Sequence, residues 1–360
     1  MKTYTCLTLI GLLFTSLISC KKAGPAPNSA ANKPTPPVDT SVTGTKHDTL
    51  ITDVYATGDF GGRAQLWKNG VGTALSNVPS TGLHVVVLNG NTYVCGDEQI
   101  VGQPHAVYWK NFEFRVPLTD GTDNSSIAND IVLQGSDILC VGTINDKTGQ
   151  KAVLWRNGQV TVLASNATAT GILVKGNDIY ITGSYTPKLT TVACYWKNGI
   201  VHDLGTNGQA SGIAIDNNSN VYLCGTSNSA PVYWKNDVMA MLPKTRKWAW
   251  ANAICIQGDD VYIVGSGEDD TYWGYDEAYY WKNGIQQYFP GGSSLNDIIM
   301  VSNNIFITGT KYSDRKPYGR LWENTSTLYL QPSLTVAYLE PNVPSNFTGL
   351  YIDQHYSSSN

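Results

Sequence analysis

Two aspartates have the side chain and the context that catalysis would need. Asp130 and Asp297 each follow an asparagine, Asn129 or Asn296, at the start of an apolar run. Hydrolysis of a glycosidic bond requires a pair of carboxyl groups at a set separation. An Asn-Asp pair at a strand start also commonly hydrogen-bonds backbone groups. The sequence favours this structural role and keeps Asp130 and Asp297 as candidate catalytic acids.

A second candidate site is rich in aromatic and acidic residues. The segment 247–250 (KWAW) and the loop 266–280 (SGEDDTYWGYDEAYY) interrupt an otherwise regular repeat. Exposed rings stack on sugars and carboxylates bond their hydroxyls, so we expect a binding patch on one rim. Self-packing of the loop is the alternative. The candidate ligand-binding residues are Trp248, Trp250, Glu268, Asp269, Asp270, Tyr272, Trp273, Tyr275, Asp276, Tyr312 and Arg315.

Other chemistry finds little support. None of the five histidines belongs to an HExxH pairing, and no GxSxG elbow occurs. The five cysteines after residue 20 show no CxxC spacing, and we expect them to pack as small apolar side chains. Asp216, Asn218 and Asn220 alternate as in a calcium loop, but Asx-rich turns are the usual use of that pattern. We therefore expect no metal and no cofactor.

Composition and charge exclude further classes. Only 14% of the 360 residues are charged, and Gly (35), Tyr (21) and Trp (10) are abundant, which disfavours a helical bundle. With 24 basic and 28 acidic residues, the net charge of -4 gives no electrostatic attraction for nucleic acid. We expect a monomer without a nucleic-acid partner.

A motif of about eight residues, typified by RAQLWKNG, recurs seven times and must position these side chains. Its spacing of 38 to 47 residues matches one four-stranded propeller blade. Each Trp is followed two residues later by an Asn, and Asn-Gly supplies the positive φ angles of a tight hairpin turn. The tryptophans, which we expect to pack between repeats, are Trp67, Trp109, Trp155, Trp196, Trp234, Trp281 and Trp322.

The rest of each repeat predicts three further strands. A β-rich run ending in Gly, such as DVYATG58, precedes each Trp, and a small-residue start to another apolar run precedes that, as at Gly82 and Asn129. The first repeat lacks this innermost run, and Thr348-Gly349-Leu350 near the C-terminus matches Thr81-Gly82-Leu83. We predict an all-β fold: a single closed seven-bladed β-propeller over residues 48–356, with four antiparallel strands per blade and a C-terminal strand that completes the first blade.

The N-terminal segment predicts export and lipidation. A short basic start and the apolar run LTLIGLLFTSLI form a signal peptide over residues 1–19. The run ends in Leu17-Ile18-Ser19-Cys20, which resembles a bacterial lipobox, so we expect Cys20 to be acylated. An ordinary secretory signal is the alternative. Residues 20–47, rich in Pro, Ser and Asn, predict a disordered tether.

Together these motifs resemble the seven-bladed β-propeller lipoproteins of Bacteroidota-type bacteria, in which W-K-N-G repeats follow a lipobox. The segment Asp216–Asn220 with the following Val-Tyr-Leu also resembles an NHL-type or SBBP-type repeat. The resemblance implies a fold more firmly than an activity. It implies an exported protein anchored in the bilayer of the cell envelope, with the outer membrane as the expected location.

Three functions are compatible with this sequence. The favoured one is a non-catalytic binding module for a glycan or an envelope protein. The second is a hydrolase or lyase of extracellular polysaccharide. The third is a scaffold that holds an envelope complex together through the face carrying the W-K-N-G turns.

Overall fold

The computed structural model describes residues 50–268, 277–287, 289, 294–313, 316–323, 331–334 and 345–356. The predicted signal peptide, the tether and Cys20 lie outside these residues. So do Asp269, Asp270, Tyr272, Trp273, Tyr275, Asp276 and Arg315 of the predicted binding patch. Tyr312 lies in a strand, but its side chain is outside the description. The described residues contain no helix long and apolar enough to cross a membrane.

Twenty-eight strands are described, and they pair in groups of four that follow the sequence repeat. We number each repeat from its first strand, beside the centre of the molecule, to its fourth, at the periphery. The first repeat consists of β28 (Ser345–Tyr356), β1 (Leu50–Phe60), β2 (Arg63–Lys68) and β3 (Val71–Ala74). The second consists of β4 (Ser80–Leu88), β5 (Asn91–Ile100), β6 (Gln103–Lys110) and β7 (Phe114–Pro117). The third consists of β8 (Ser125–Gln134), β9 (Asp137–Asp146), β10 (Gly149–Arg156) and β11 (Gln159–Ser165). The fourth consists of β12 (Ala167–Lys175), β13 (Asp178–Tyr185), β14 (Val192–Lys197) and β15 (Ile200–Thr206).

The remaining three repeats have the same order. The fifth consists of β16 (Gly208–Ile215), β17 (Val221–Ser227), β18 (Ala230–Lys235) and β19 (Val238–Met241). The sixth consists of β20 (Trp248–Gln257), β21 (Asp260–Glu268), β22 (Glu277–Lys282) and β23 (Ile285–Gln287). The seventh consists of β24 (Ser294–Val301), β25 (Asn304–Ser313), β26 (Lys316–Glu323) and β27 (Gln331–Leu334).

All strand pairs are antiparallel, and the sheets are open. The C-terminal strand β28 pairs with β1 from Leu50↔Tyr356 to Phe60↔Ser345, as the Thr348-Gly349-Leu350 match predicts. The pair Ser266↔Ser294 joins the sixth and seventh groups into one eight-stranded sheet. Among the described strands no sheet closes on itself.

Every first strand carries a β-bulge at the same position. One residue of the first strand is left without a partner, and the register then shifts by one. The bulge brings the preceding carbonyl oxygen to between 1.8 and 2.1 Å of the place where a Cβ would stand on the second strand. Only glycine fits there, which explains the Gly that ends the β-rich run in every repeat. The bulged residues are Thr348, Leu83, Asn129, Thr170, Ser211, Asn252 and Asn296.

The bulge corrects the sequence alignment of the first strands. The sequence repeat aligns Gly82 with Asn129. In the structure, Gly82 lies opposite the strand-ending Gly96, whereas Asn129 is itself the bulged residue. Ala128 is the true counterpart of Gly82, since it lies opposite Gly142. A bulge inserts one residue without changing composition, so spacing alone does not reveal it.

The asparagine of the W-K-N-G turn has two functions. In the six repeats where it is described, it adopts a positive φ of 48 to 53°, as predicted. Its side chain also joins the two hairpins of the repeat. In the fourth repeat Asn198 accepts the backbone N–H of Ile179 at 2.9 Å and donates to Asp178 at 2.7 Å. The other five asparagines accept and donate at the equivalent positions.

The core lies between neighbouring repeats. All seven tryptophans are buried, as the sequence predicts. Trp196 of the fourth repeat packs in one cluster with Leu139 and Val141 of the third. Trp67 of the first repeat packs with Phe306 of the seventh. Each repeat therefore depends on the next for burial of its apolar surface.

The first strands contact one another in cyclic order, from β28 through β4, β8, β12, β16, β20 and β24 back to β28. Side chains at the bulges cross between repeats at equivalent heights. Asn129 donates to the carbonyl of Ala169 at 2.7 Å, and Asn296 donates to the carbonyl of Phe347 at 2.5 Å. Because equivalent residues of neighbouring repeats contact each other, the first strands of these repeats run in the same direction. The W-K-N-G turns therefore share one side, the hairpin face, and the first strands begin on the other, the loop face.

Candidate functional site

Three titratable side chains meet where the first strands converge. His84, Asp130 and Asp297 each occupy the position after the bulge, in the second, third and seventh repeats. His84 Nδ1 lies 2.8 Å from Asp130 Oδ1, although off the line of a regular hydrogen bond. Its Nε2 lies 3.4 Å from Asp297 Oδ2. We call these three residues the axial cluster.

Backbone groups of the neighbouring strands hold both carboxylates. Asp130 accepts the N–H of Ile131 at 2.7 Å with one oxygen and the N–H of Ile172, in the next repeat, at 2.8 Å with the other. Asp297 repeats this arrangement with Ile298 at 2.8 Å and Leu350 at 2.9 Å. Each carboxylate therefore joins two repeats.

The electrostatics of the cluster favour a charged histidine. Burial alone lowers the pKa of His84 because it penalises the imidazolium. The nearby Asp130 and Asp297 carboxylates outweigh burial and raise its pKa well above the usual value. One positive charge thus sits between two negative ones.

A cavity of about 270 Å³ surrounds the cluster. The other positions after the bulge are Gly171, Gly212, Ala253 and Gly349, which leave the space that the three titratable side chains fill. A Cβ on Gly349 would come within 2.7 Å of the Cα of His84. The rest of the lining consists of residues at and beside the bulges, with amide and hydroxyl side chains and four aliphatic residues, Leu83, Ile172, Ile213 and Ile254.

The sequence missed His84 as a partner of the aspartates. The sequence pattern predicts a position near the centre for Asp130 and Asp297, but it predicts no role for any histidine. The bulge-corrected alignment of the first strands puts His84 in the column of Asp130 and Asp297, so the signal was present.

The axial cluster contains the side chains that general acid–base catalysis uses, but its carboxylate oxygens already have hydrogen-bond partners. Every oxygen of Asp130 and Asp297 already accepts a backbone N–H, so both carboxylates are engaged in joining neighbouring strands. No group of His, Cys, Asp and Glu among the described residues is arranged to hold a metal ion.

The sixth repeat contains the described part of the predicted aromatic and acidic patch. Trp248 and Trp250 are half-buried and lie at the start of β20 itself, not in the connection before it, because Trp248 pairs with Glu268 and Trp250 with Ser266. Both strand ends lie at the loop face, as the predicted topology requires. The Lys247 Nζ lies 4.3 Å from the ring centroid of Trp248.

A hydrogen-bonded corner supports these tryptophans. The buried Tyr279 hydroxyl accepts the backbone N–H groups of Thr245 and Arg246, each at 2.9 Å. Glu277 accepts from the Thr245 hydroxyl at 2.6 Å and from Arg246 Nε at 2.8 Å. The segment that leads into β20 is thereby tied to β22 across the loop face.

A second cavity, of about 530 Å³, lies between the third and fourth repeats at the loop face. Its lining contains no charged side chain. The Thr143 hydroxyl is buried there without a hydrogen-bond partner among the described residues. The lining residues are Ser125, Ser126, Ile127, Asn129, Thr143, Asn145, Gln150 and Thr168.

Comparison with known proteins bears on the fold. Residues 204–231 match the model of the beta-propeller repeat family SBBP, and this stretch includes the Asp216–Asn220 segment that resembled it. No curated protein matches the chain. The fold is that of a β-propeller.

Solved structures with similar architecture are distant in sequence. An endo-arabinanase from Bacillus licheniformis has a TM-score of 0.32 at 12% identity, over 56% of this chain and 95% of its own. An arabinofuranosidase from Clostridium thermocellum has a TM-score of 0.36 at 10% identity, over 71% and 94%. A Trypanosoma rangeli sialidase has a TM-score of 0.48 at 6% identity, over 70% and 55%. At these values the likeness carries no conclusion about activity.

The remaining candidates of this β-propeller have structural roles. Asp216 accepts the backbone N–H groups of Asn218 and Asn220 at 2.9 and 2.8 Å, which is an Asx-rich turn. The five cysteines in the described residues are free thiols, of which four are buried. Burial raises the pKa of Cys194 and of Cys224 to about 12, so neither thiol is ionised near neutral pH.

Proposed function

We propose that the protein is a lipid-anchored binding module of the cell envelope that recognises a glycan or a partner protein without catalysis. Its seven repeats close into a single seven-bladed propeller, an arrangement supported by the cyclic order of first-strand contacts and by the β28–β1 pairing. The signal peptide over residues 1–19, the tether over 20–47 and acylation at Cys20 remain part of the proposal, on the sequence alone.

The position of Trp250 carries the binding assignment. The equivalent residues in the other repeats, two positions before the bulge, are Thr81, Ile127, Thr168, Gln209, Ser294 and Asn346. A half-exposed aromatic ring therefore replaces a smaller side chain at the loop face in the sixth repeat alone. Trp248 adds a second ring two residues earlier. Exposed rings beside hydrogen-bonding groups suit the stacking of a sugar or the anchoring of a protein partner.

The uncharged cavity between the third and fourth repeats supports a hydroxyl-rich ligand. Seven of its eight lining residues carry an amide or hydroxyl group, and such groups bond neutral hydroxyls without the desolvation of a charge. It opens on the same face as Trp248 and Trp250.

The hydrolase alternative retains Asp130 and Asp297 as its acids. The observation against it is that backbone N–H groups occupy both carboxylates and that His84 stands between them. The scaffold alternative would use the hairpin face and predicts co-purifying envelope proteins without a small ligand.

A glycan array and a pull-down from envelope extract test the proposal. We expect the mature chain to bind, and the double variant Trp248→Ala, Trp250→Ala to lose about tenfold or more in affinity because two stacking contacts are removed. Phe112→Ala with Phe114→Ala, at the hairpin face, is the matched control and should bind normally. Equal binding by the tryptophan variant would exclude this patch. Release of product from a polysaccharide panel, abolished by Asp130→Asn, would instead establish the hydrolase.

The lipid anchor has a separate test. Labelling of cells with a palmitate analogue should mark the protein, and the Cys20→Ser variant should remain unlabelled. Label that survives in Cys20→Ser would contradict the assignment of the acylation site.

A further inference from the structure

A contact between neighbouring repeats recurs at one position of the loop face. It joins the residue that follows the strand-ending Gly of one repeat to the residue two positions before the bulge of the next. Between the sixth and seventh repeats these residues form the backbone pair Ser266↔Ser294. Between the seventh repeat and the first, the Thr310 hydroxyl donates to Asn346 Oδ1 at 3.3 Å. Both junctions are therefore linked directly at this position.

The junction of the third and fourth repeats is open at the same position. Its two residues, Thr143 and Thr168, both line the cavity of about 530 Å³ whose eight residues are given above, and we call this cavity the neutral cleft. The Thr143 hydroxyl is buried and has no hydrogen-bond partner in the described part of the chain. A buried hydroxyl without a partner is unfavourable, and an oxygen atom of a ligand would supply the missing bond.

The neutral cleft presents hydrogen-bonding groups of both kinds that the described residues leave free. Asn129 uses an amide N–H on a backbone carbonyl of the fourth repeat, and its Oδ1 remains an acceptor. Gln150 donates to Thr168 Oγ1 at 3.1 Å, and its Oε1 also remains an acceptor. The side chains of Ser125 and Asn145 have no hydrogen-bond partner within the same part of the chain. A sugar hydroxyl both donates and accepts, so it can use either kind of group.

The charges around the neutral cleft favour an uncharged ligand. None of the lining residues is charged. The ionisable side chains near the cleft along the chain face one another instead: Asp146 pairs with Lys151 at 2.5 Å, and Asp123 lies 3.4 Å from His105 Nδ1. The lining thus contains no cation to compensate the desolvation of a ligand carboxylate, and no acid to compensate that of a ligand amine.

We propose that the neutral cleft binds one residue of a neutral glycan and discriminates against uronic acids. The amide and hydroxyl side chains bond the sugar hydroxyls, and Ile127 contacts the apolar face of the ring. The volume lies within the range of about 300 to 1,000 Å³ that is usual for small-molecule sites. The inference deepens the proposed function and rests on it: it commits the ligand to a glycan and adds a binding site to that of Trp248 and Trp250.

Titration calorimetry of the mature chain with methyl glycosides tests the inference. The panel contains the methyl glycosides of glucose, galactose, mannose and xylose, together with those of glucuronic and galacturonic acid. We expect at least one neutral glycoside to bind, and the acidic ones to bind about tenfold more weakly or worse. Thr143→Val and Asn145→Ala should each weaken this binding about fivefold or more because a hydrogen bond to the sugar is lost.

Two controls separate binding from folding. Thr143→Val replaces an unsatisfied hydroxyl by a methyl group of similar size, so its melting temperature should equal or exceed that of the parent chain. Asn177→Ala removes the same exposed amide as Asn145→Ala, but at the hairpin face, and should bind the glycosides normally.

The outcomes distinguish this inference from the proposed function. It would be overturned if no glycoside binds, if the acidic glycosides bind as tightly as the neutral ones, or if both cleft variants bind normally. Glycoside binding that persists in the cleft variants and is abolished by Trp248→Ala with Trp250→Ala would overturn the inference and leave the proposed function standing. Glycoside binding lost in the cleft variants, with glycan-array binding unchanged in the tryptophan variant, would support the cleft and exclude the aromatic patch.

Discussion

His84 stands between Asp130 and Asp297 as a charge that joins three repeats across the centre. Apart from Asp130 and Asp297, the residues at the same strand position are glycine or alanine, so no other side chain there can replace it. Removal of the imidazolium leaves two carboxylates facing each other in a partly closed cavity. Loss of one partner of a buried ion pair costs more than the pair itself contributes.

The raised pKa of His84 makes its contribution depend on pH. Because the folded pKa lies above the unfolded value near 6.5, the stabilisation is fully present below that value and disappears as pH rises through the folded pKa. We expect His84→Gln to lower the free energy of unfolding by roughly 2 kcal/mol at about pH 6, and by less as pH increases. Urea unfolding across pH measures this. His202→Gln, which removes a histidine without a described carboxylate partner, is the control, and a pH-independent effect of His84→Gln would contradict the prediction.

Replacement of Asp97 is expected to change the stability in the opposite direction from replacement of His84, although both groups make the fold less stable as pH rises. It is 8% exposed in the second repeat, and burial, with the nearby Glu98 charge, raises its pKa to about 6. The folded protein therefore favours the neutral acid, and stability falls as pH rises from about 4 to about 6. We expect Asp97→Asn to increase the free energy of unfolding at pH 7 by roughly 2 kcal/mol and to change little near pH 3. Unfolding curves at both pH values check this, and destabilisation by Asp97→Asn at pH 7 would contradict the prediction.

At the residue scale, only part of the candidate site could be predicted from the sequence. It placed Asp130 and Asp297 at the centre because each follows an asparagine at a strand start. It identified Trp248 and Trp250 because they break the repeat. The role of His84 was missed because the bulge displaces the alignment by one residue. The corner made by Tyr279, Glu277 and Arg246 depends on contacts between separate strands, which no local pattern encodes.

At the scale of the element, the bulge of the first strand and the strand-ending glycine of the second strand require each other. The bulge turns a carbonyl oxygen toward the second strand, and the absent Cβ makes room for it. The bulged side chain then reaches the next repeat, as Asn129 and Asn296 do. The recurring Gly, which the sequence could explain only as the end of a strand, thus follows from packing around the centre.

The close approach at the bulge predicts that a single methyl group added to the strand-ending glycine strongly destabilises the fold. A Cβ on Gly142 would lie 1.9 Å from the carbonyl oxygen of Ile127. Relief requires movement of the backbone, so we expect Gly142→Ala to lower the free energy of unfolding by about 3 kcal/mol or more. Gly121→Ala is the comparison, because its Cβ meets no atom within 4 Å and only its positive φ of 80° opposes alanine, at about 1 kcal/mol. Similar melting temperatures for the two variants would refute the role of the bulge.

At the scale of the molecule, strand count and order followed from the sequence because the repeat supplied seven aligned copies. The β28–β1 pairing was predicted from three residues, Thr348-Gly349-Leu350, since the first repeat lacked a first strand. The junction of the sixth and seventh repeats through Ser266↔Ser294 was not predicted. It involves one bridge outside any motif, and a single bridge leaves no periodic signal.

The terminal pairing predicts the outcome of truncation. Removal of residues 345–360 deletes β28 with its fully buried Phe347 and Leu350 and exposes the edge of β1. The loss exceeds about 5 kcal/mol, a large share of the stability of a typical domain. We expect this chain to aggregate or to lose cooperative thermal unfolding by circular dichroism, whereas removal of residues 357–360 alone should leave the transition unchanged. Cooperative unfolding of the shorter chain would show that the fold is stable without the β28–β1 pairing.

The register of β28 against β1 also sets how the molecule responds to mechanical load. Leu50 and Tyr356 are directly opposed at one end of the ladder, so a force that separates the two chain termini acts on one pair of hydrogen bonds at a time. This is the unzipping geometry, in which an antiparallel ladder yields at lower force than when it is sheared along its length. Tension applied through the segment before Leu50 would pass into the first repeat through β1, which the β2 hairpin and the β28 ladder hold on both sides.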